Sequence, residues 1–365
     1  MNVNFKERKI EKILNNQKNI TSINDLTAGE EPSWLFYILA DKLGYLLENN
    51  PDEVLSKKGV EIRKKINYII RKIGPAFLTS PQIIENRKAL LNPETTEKDD
   101  EIVLPNKPVI WVANHAFKDD TLASILAIKR NAYILFGSLP QFYNTFDGIT
   151  AWLNGVVMTN RKNKDSKKAS VEKAVKAIEL GSDLFIFPEG VWNKSPNKLL
   201  LDFWPGIYRI AQETGANIIP VVHYQEDTSR PGKDNLIHTV VDNPINISGL
   251  TEEEGLDLIK EKLSTWYYLM MEKYGQSTRE ELLENYDDST KAWEEHLKRR
   301  VSTADRYDEE IELSADYRPK KTVRPEDVYE SIANIDNITP DNVHHVLYAR
   351  QLVKTQKNND FQRRF

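Results

Sequence analysis

From Pro108 to Val241 the chain alternates short apolar runs with amphipathic stretches, and this alternation narrows the fold more than any other feature. The runs are 108–113, 132–136, 155–159, 183–187, 218–223 and 236–241. Each is too short for a helix, and they are mostly continuous rather than alternating in polarity. Such runs become strands buried on both faces. Between them, 121–130, 166–180 and 206–214 carry apolar residues at helical spacing, as in Ala169, Val171, Ala174, Val175 and Ile178. Strands separated by helices build a parallel sheet with helices on both faces. The expected fold is therefore α/β, with a mostly parallel central sheet flanked by helices.

The flanking regions read differently. Residues 33–49 and 60–79 have helical periodicity, and the second is rich in Arg63, Lys64, Lys65, Arg71 and Lys72. Residues 92–108 are acidic and hold Pro93, Pro105 and Pro108, so they read as an exposed loop. After Thr251 the pattern is helical and charged, with helices expected at 251–274, 278–300 and within 325–354. Three regions follow: an N-terminal helical pair in 1–80, an α/β core in 81–250 and a C-terminal helical extension in 251–365.

Composition removes several function classes. The formal net charge of -5 argues against a nucleic-acid partner, because a polyanion needs a basic surface. With no cysteine in the chain, thiolate nucleophiles, disulfides and Cys-ligated zinc are impossible. Met1 to Lys12 is polar and lacks an apolar core, so no secretory signal is expected there. No stretch approaches the roughly 20 apolar residues of a spanning helix. The expectation is a cytoplasmic protein, peripheral at an inner membrane surface if it meets a bilayer. His344 and His345 are adjacent rather than a helical turn apart, so no metal is expected.

The chemistry-bearing residues stand where strands end. His115 follows the run 108–113, and Asp120 stands five residues later, where a helix begins. That spacing lets the carboxylate reach the imidazole, fix its tautomer and support its protonated form. The pair suits a general base acting on a hydroxyl. Glu189 and Gly190 end the run of Leu184 to Phe187 in a Pro-Glu-Gly turn. Arg161 closes the run that starts at Gly155, and its planar fork of donors suits a phosphate.

In order and spacing, His115-x4-Asp120, Gly155 to Arg161, Phe187-Pro-Glu-Gly190 and Ile219-Pro220-Val221 resemble the four sequence blocks of the glycerolipid acyltransferase family, which includes the 1-acylglycerol-3-phosphate and lysophospholipid acyltransferases. The resemblance covers about 105–225. It implies a fatty acyl group moved from an acyl thioester, acyl-CoA or acyl-ACP, to a hydroxyl of a lysolipid or related alcohol. His115 would be the base and Asp120 its orienting partner. Asn114, Arg161, Glu189, Gly190 and Lys194 would bind substrate. No covalent acyl-enzyme and no cofactor beyond the co-substrate is implied; an acyl carrier protein and a bilayer surface are the implied partners.

The chain departs from the family after Gly190. Val191-Trp192-Asn193-Lys194 stands where the family commonly has Thr and Arg or Ser, so an expected phosphate contact is missing and Lys194 is the nearest substitute. Two alternatives stay open: the same fold with a glycolipid or other non-phosphate acceptor, and a non-catalytic lipid-binding or scaffold protein.

Overall fold

A computed structural model describes residues 55–92, 94–95, 101–115, 117, 119–137, 146–159, 164–191, 200–226 and 235–275. The helices expected at 33–49, 278–300 and 325–354 lie outside these residues.

Seven strands form one sheet: β1 (Gln82–Ile84), β2 (Ile110–Ala113), β3 (Ala132–Phe136), β4 (Val156–Met158), β5 (Asp183–Ile186), β6 (Ile218–Gln225) and β7 (Ile237–Val241). Their order is β1-β7-β6-β2-β5-β3-β4. All neighbours are parallel except β6 and β7, which pair antiparallel. Among the described residues seven helices accompany them: α1 (Lys57–Ile73), α2 (Arg87–Leu91), α3 (Asp120–Ile128), α4 (Phe146–Asn154), α5 (Lys164–Glu179), α6 (Gly206–Thr214) and α7 (Glu252–Tyr274).

The two sheet faces carry separate apolar cores. Ile110, Val112, Leu184, Ile186 and Val222 face α5, α6 and α7, where Ala174, Ile178, Ile210 and Leu263 are buried. Trp111, Ala113, Phe185, Ile219 and Val221 face the other way, toward Ile70 of α1, Ile125 of α3 and Ala151 of α4. Adjacent residues thus enter opposite cores, which is why the strands read as continuous apolar runs.

Local chemistry sets the ends of the elements. Ser56 caps α1 by accepting from the Gly59 N–H, and Gly74-Pro75 turns its end into one 3-10 turn. Thr251 and Glu254 form a reciprocal capping box on α7. Pro220 sits inside β6, where a missing N–H could break the sheet. The Ile218 N–H points to Ile245 beside β7. Two residues on, the absent donor of Pro220 falls on that same side, just short of the β6–β7 ladder that starts at Val221.

Two features escape the periodicity. No element is expected in 80–91, yet β1 and α2 lie there. β1 pairs only with β7, more than 150 residues away, and its Ile83 and Ile84 are exposed. α4 also forms where only an aromatic cluster was evident.

Candidate functional site

Five parallel strands end on one side of the sheet, and their carboxyl ends carry the residues singled out from sequence. That edge is where open α/β sheets place ligands. His115 follows β2, the central strand. Its Nδ1 lies 2.8 Å from Oδ2 of Asp120. Asp120 is fully buried in the first turn of α3, and the same oxygen accepts the Phe117 N–H at 3.2 Å. A carboxylate in the first turn meets the positive end of the helix. Because the carboxylate accepts, Nδ1 of His115 carries the proton and Nε2 holds the lone pair. The imidazole also stacks on Phe187, 4.1 Å between centroids at 13°.

Glu189 is buried, and its two oxygens accept from the backbone of separate segments. Oε1 takes the His115 N–H at 2.9 Å, and Oε2 takes the Leu201 N–H at 2.8 Å. The turn after β5 thereby grips the backbone of the histidine loop. Gly190 has φ +73, and a Cβ there would lie 2.8 Å from Nε1 of Trp204. The Trp204 N–H bonds the Pro188 carbonyl, so 200–206 folds back over the Pro-Glu-Gly turn. Asn114 is buried, and its amide both donates to and accepts from the His223 backbone, tying the end of β2 to β6. Arg161 and Lys194 lie outside the described residues.

Behind the pair sits a histidine two residues past the Ile219-Pro220-Val221 block. His223 is buried, with Nε2 2.6 Å from Ser124 Oγ and Nδ1 2.8 Å from Thr239 Oγ1. Burial pushes it down to about 4, against the pull of Asp120. His223 is therefore neutral at pH 7, and its two ring nitrogens tie β6 to α3 and β7. Sequence could not pair it with Ser124, which is 99 residues away.

His115, Asp120 and Gly190 open onto a cavity of about 680 Å³ between the strand ends, α5 and α6. Its walls include Ile134, Leu135, Ile186, Val171, Ile207 and Ile210. Lys164, Lys167 and Lys168 of α5, Arg209 of α6 and Trp204 also line it. Sequence reasoning missed these five. Three lysines at positions i, i+3 and i+4 were the available signal, but such a pattern usually marks only a solvated helix face.

Comparison with known proteins matches residues 92–224 to the family model described as Acyltransferase. A 1-acyl-sn-glycerol-3-phosphate acyltransferase of Chlamydomonas reinhardtii is 27% identical over 118 residues, 32% of this chain and 34% of the relative. One from Borreliella burgdorferi is 30% identical over 122 residues, 33% of this chain and 48% of the relative. The matched stretch thus spans about a third and about half of these relatives. The crystal structure of the 1-acyl-sn-glycerophosphate acyltransferase from Thermotoga maritima overlaps with a TM-score of 0.39 at 17% identity, covering 70% of this chain and 94% of that one.

Proposed function

Because residues 92–224 match the family model described as Acyltransferase, we propose that this protein transfers a fatty acyl group from an acyl thioester to a hydroxyl of a lysophospholipid, with His115 as general base and Asp120 as its orienting partner. The observation that carries this reading is the 2.8 Å contact between His115 Nδ1 and Asp120, both lining a largely apolar cavity. Nε2 takes the proton of the acceptor hydroxyl as its oxygen attacks the thioester carbonyl. The tetrahedral intermediate collapses, the C–S bond breaks, and the departing thiolate takes the proton back from the imidazolium. Asp120 stabilises the transient cation. The nucleophile comes from the substrate, so the protein needs no serine or cysteine of its own and no cofactor.

A lysolipid acceptor partitions into a bilayer, and α1 offers a face for one. Tyr68, Ile69, Ile73 and Phe77 are exposed apolar groups along α1 and its terminal turn, beside Lys64, Lys65 and Lys72. Apolar side chains flanked by lysines suit shallow contact with an anionic bilayer. No helix among the described residues is long and apolar enough to cross a membrane.

The test is a panel. The protein is incubated with acyl-CoA or acyl carrier protein and with lysophosphatidate, other lysolipids, glycolipids and simple alcohols, and products are read by mass spectrometry. The proposal predicts an acylated lysophospholipid. Release of free fatty acid alone would indicate a hydrolase. Preference for a neutral acceptor would favour the glycolipid or alcohol alternative.

A further inference from the structure

We propose that Phe187 is a positioning residue for His115: the face of its ring fixes the imidazole beside Asp120 and stabilises the imidazolium that forms when Nε2 takes the acceptor's proton. The role rests on the reading of His115 as general base.

The sheet brings the two rings together. Val112 of β2 and Ile186 of β5 are paired neighbours on parallel strands, so the residues just beyond them leave the sheet side by side. Phe187 follows Ile186 directly, and His115 lies two residues past Ala113, the last of β2. The ring centroids are 4.1 Å apart and the planes only 13° from parallel. Phe187 is fixed in its turn. The ring of Phe185, fully buried, meets it at 4.8 Å and 78°. Pro188 holds the backbone of the residue before it extended. The Phe187 carbonyl accepts the Gly190 N–H at 3.0 Å. Glu189, in the same turn, holds the His115 N–H at 2.9 Å. One turn therefore sets both the backbone of the histidine and the surface on which its ring lies.

Stacking leaves both nitrogens of the imidazole to the proton transfer. An imidazole donates and accepts in its own plane, where Nδ1 meets Asp120 and Nε2 keeps its lone pair. A group on the ring face competes with neither. A benzene face is electron-rich, so it attracts the imidazolium more strongly than the neutral ring. The contact thus strengthens as the proton arrives, and only interactions that strengthen toward the transition state speed the chemical step. The surroundings make this support useful. Ile134, Leu135, Val171 and Ile186 wall the cavity, and a cation is poorly solvated among them. The Asp120 oxygen that faces Nδ1 also accepts the Phe117 N–H, so its charge is shared. An aliphatic side chain would fill the same space as Phe187 without supplying the charge.

The experiment separates ring shape from ring charge. In the full chain, Phe187 is replaced by 4-fluoro-, 3,5-difluoro- and pentafluorophenylalanine through amber-codon incorporation. The ring is kept while its face loses electron density. The single-turnover rate of transfer from acyl-CoA to lysophosphatidate should fall stepwise along the series to about a tenfold loss, with Tm and both KM values unchanged. Phe187→Leu should also lose about tenfold. Proton NMR with labelled histidine reads the geometry without turnover. The ring protons of His115 should lie upfield in wild type, because they stand over the Phe187 ring, and lose that shift in Phe187→Leu. His115 signals with no upfield shift would overturn the stack. A rate indifferent to fluorination in an active enzyme would reduce Phe187 to packing, overturning this role and leaving His115 as the base. A rise in KM in place of the fall in rate would also overturn it. A wild type that shows the upfield shift but transfers no acyl group would overturn the acyltransferase reading, and this role with it.

Discussion

Replacing Glu189 with Gln separates two roles for the Pro-Glu-Gly turn. Its carboxylate holds the His115 and Leu201 N–H groups at 2.9 and 2.8 Å from a buried position. Glutamine keeps one acceptor oxygen and turns an amide NH2 toward the other donor. One bond to a charged acceptor is lost and two donors confront each other, which costs about 2–3 kcal/mol. In a domain of this size that lowers Tm by about 5–10 °C. The histidine loop loosens as well, and misplacing a catalytic group by about 1 Å can slow a reaction on the order of 100-fold. Differential scanning calorimetry and steady-state kinetics together are the assay. A lower Tm is expected, with kcat falling on the order of tenfold to 100-fold and the acceptor KM little changed. An unchanged Tm with a selective rise in acceptor KM would refute the bracing argument and make Glu189 an acceptor contact.

Three further outcomes follow from the same structure. His223 is 6.5 as a free side chain and about 4 when folded, so the unfolded chain binds more protons between those values, and stability falls as pH drops through that window. The loss is about 3 kcal/mol by pH 4; urea titrations at pH 7 and 4.5 should show it, and a slope unchanged in His223→Gln would exclude His223 as its source. Gly190→Ala forces a left-handed backbone on a side chain and drives its Cβ into Trp204, costing about 1–2 kcal/mol from the backbone alone; a thermal melt matching wild type would contradict the close approach. Ile69→Glu/Ile73→Glu removes the exposed apolar stripe of α1, and flotation on anionic liposomes should drop severalfold, whereas undiminished flotation would move the bilayer contact off this helix.

Much of this architecture was legible in the chain because the strands are buried on both faces. The limits of β3 and α6 coincide with the apolar run 132–136 and the amphipathic stretch 206–214. Gln82–Ile84 was not legible: its Ile83 and Ile84 are exposed, and it becomes a strand only by pairing with 237–239. The same division runs through the site. His115 and Asp120 are five residues apart, and the helix start brings them together locally. Glu189 showed its place at a strand end but not its partners, since Leu201 returns to it only when 200–206 folds over the turn. The lysines of α5 and Trp204 meet across an empty space that only the packing of α5 and α6 over the strand ends creates.

The central claim is that the imidazole of His115 moves the proton. Its most direct measurement is acyl transfer by His115→Ala at saturating acyl-CoA and lysophosphatidate, with folding confirmed by circular dichroism. General-base catalysis contributes about 10²–10⁴-fold, so the account predicts a fall of roughly 1,000-fold in kcat with the fold intact. Transfer within tenfold of wild type would contradict it and send the search for the base elsewhere in the cavity.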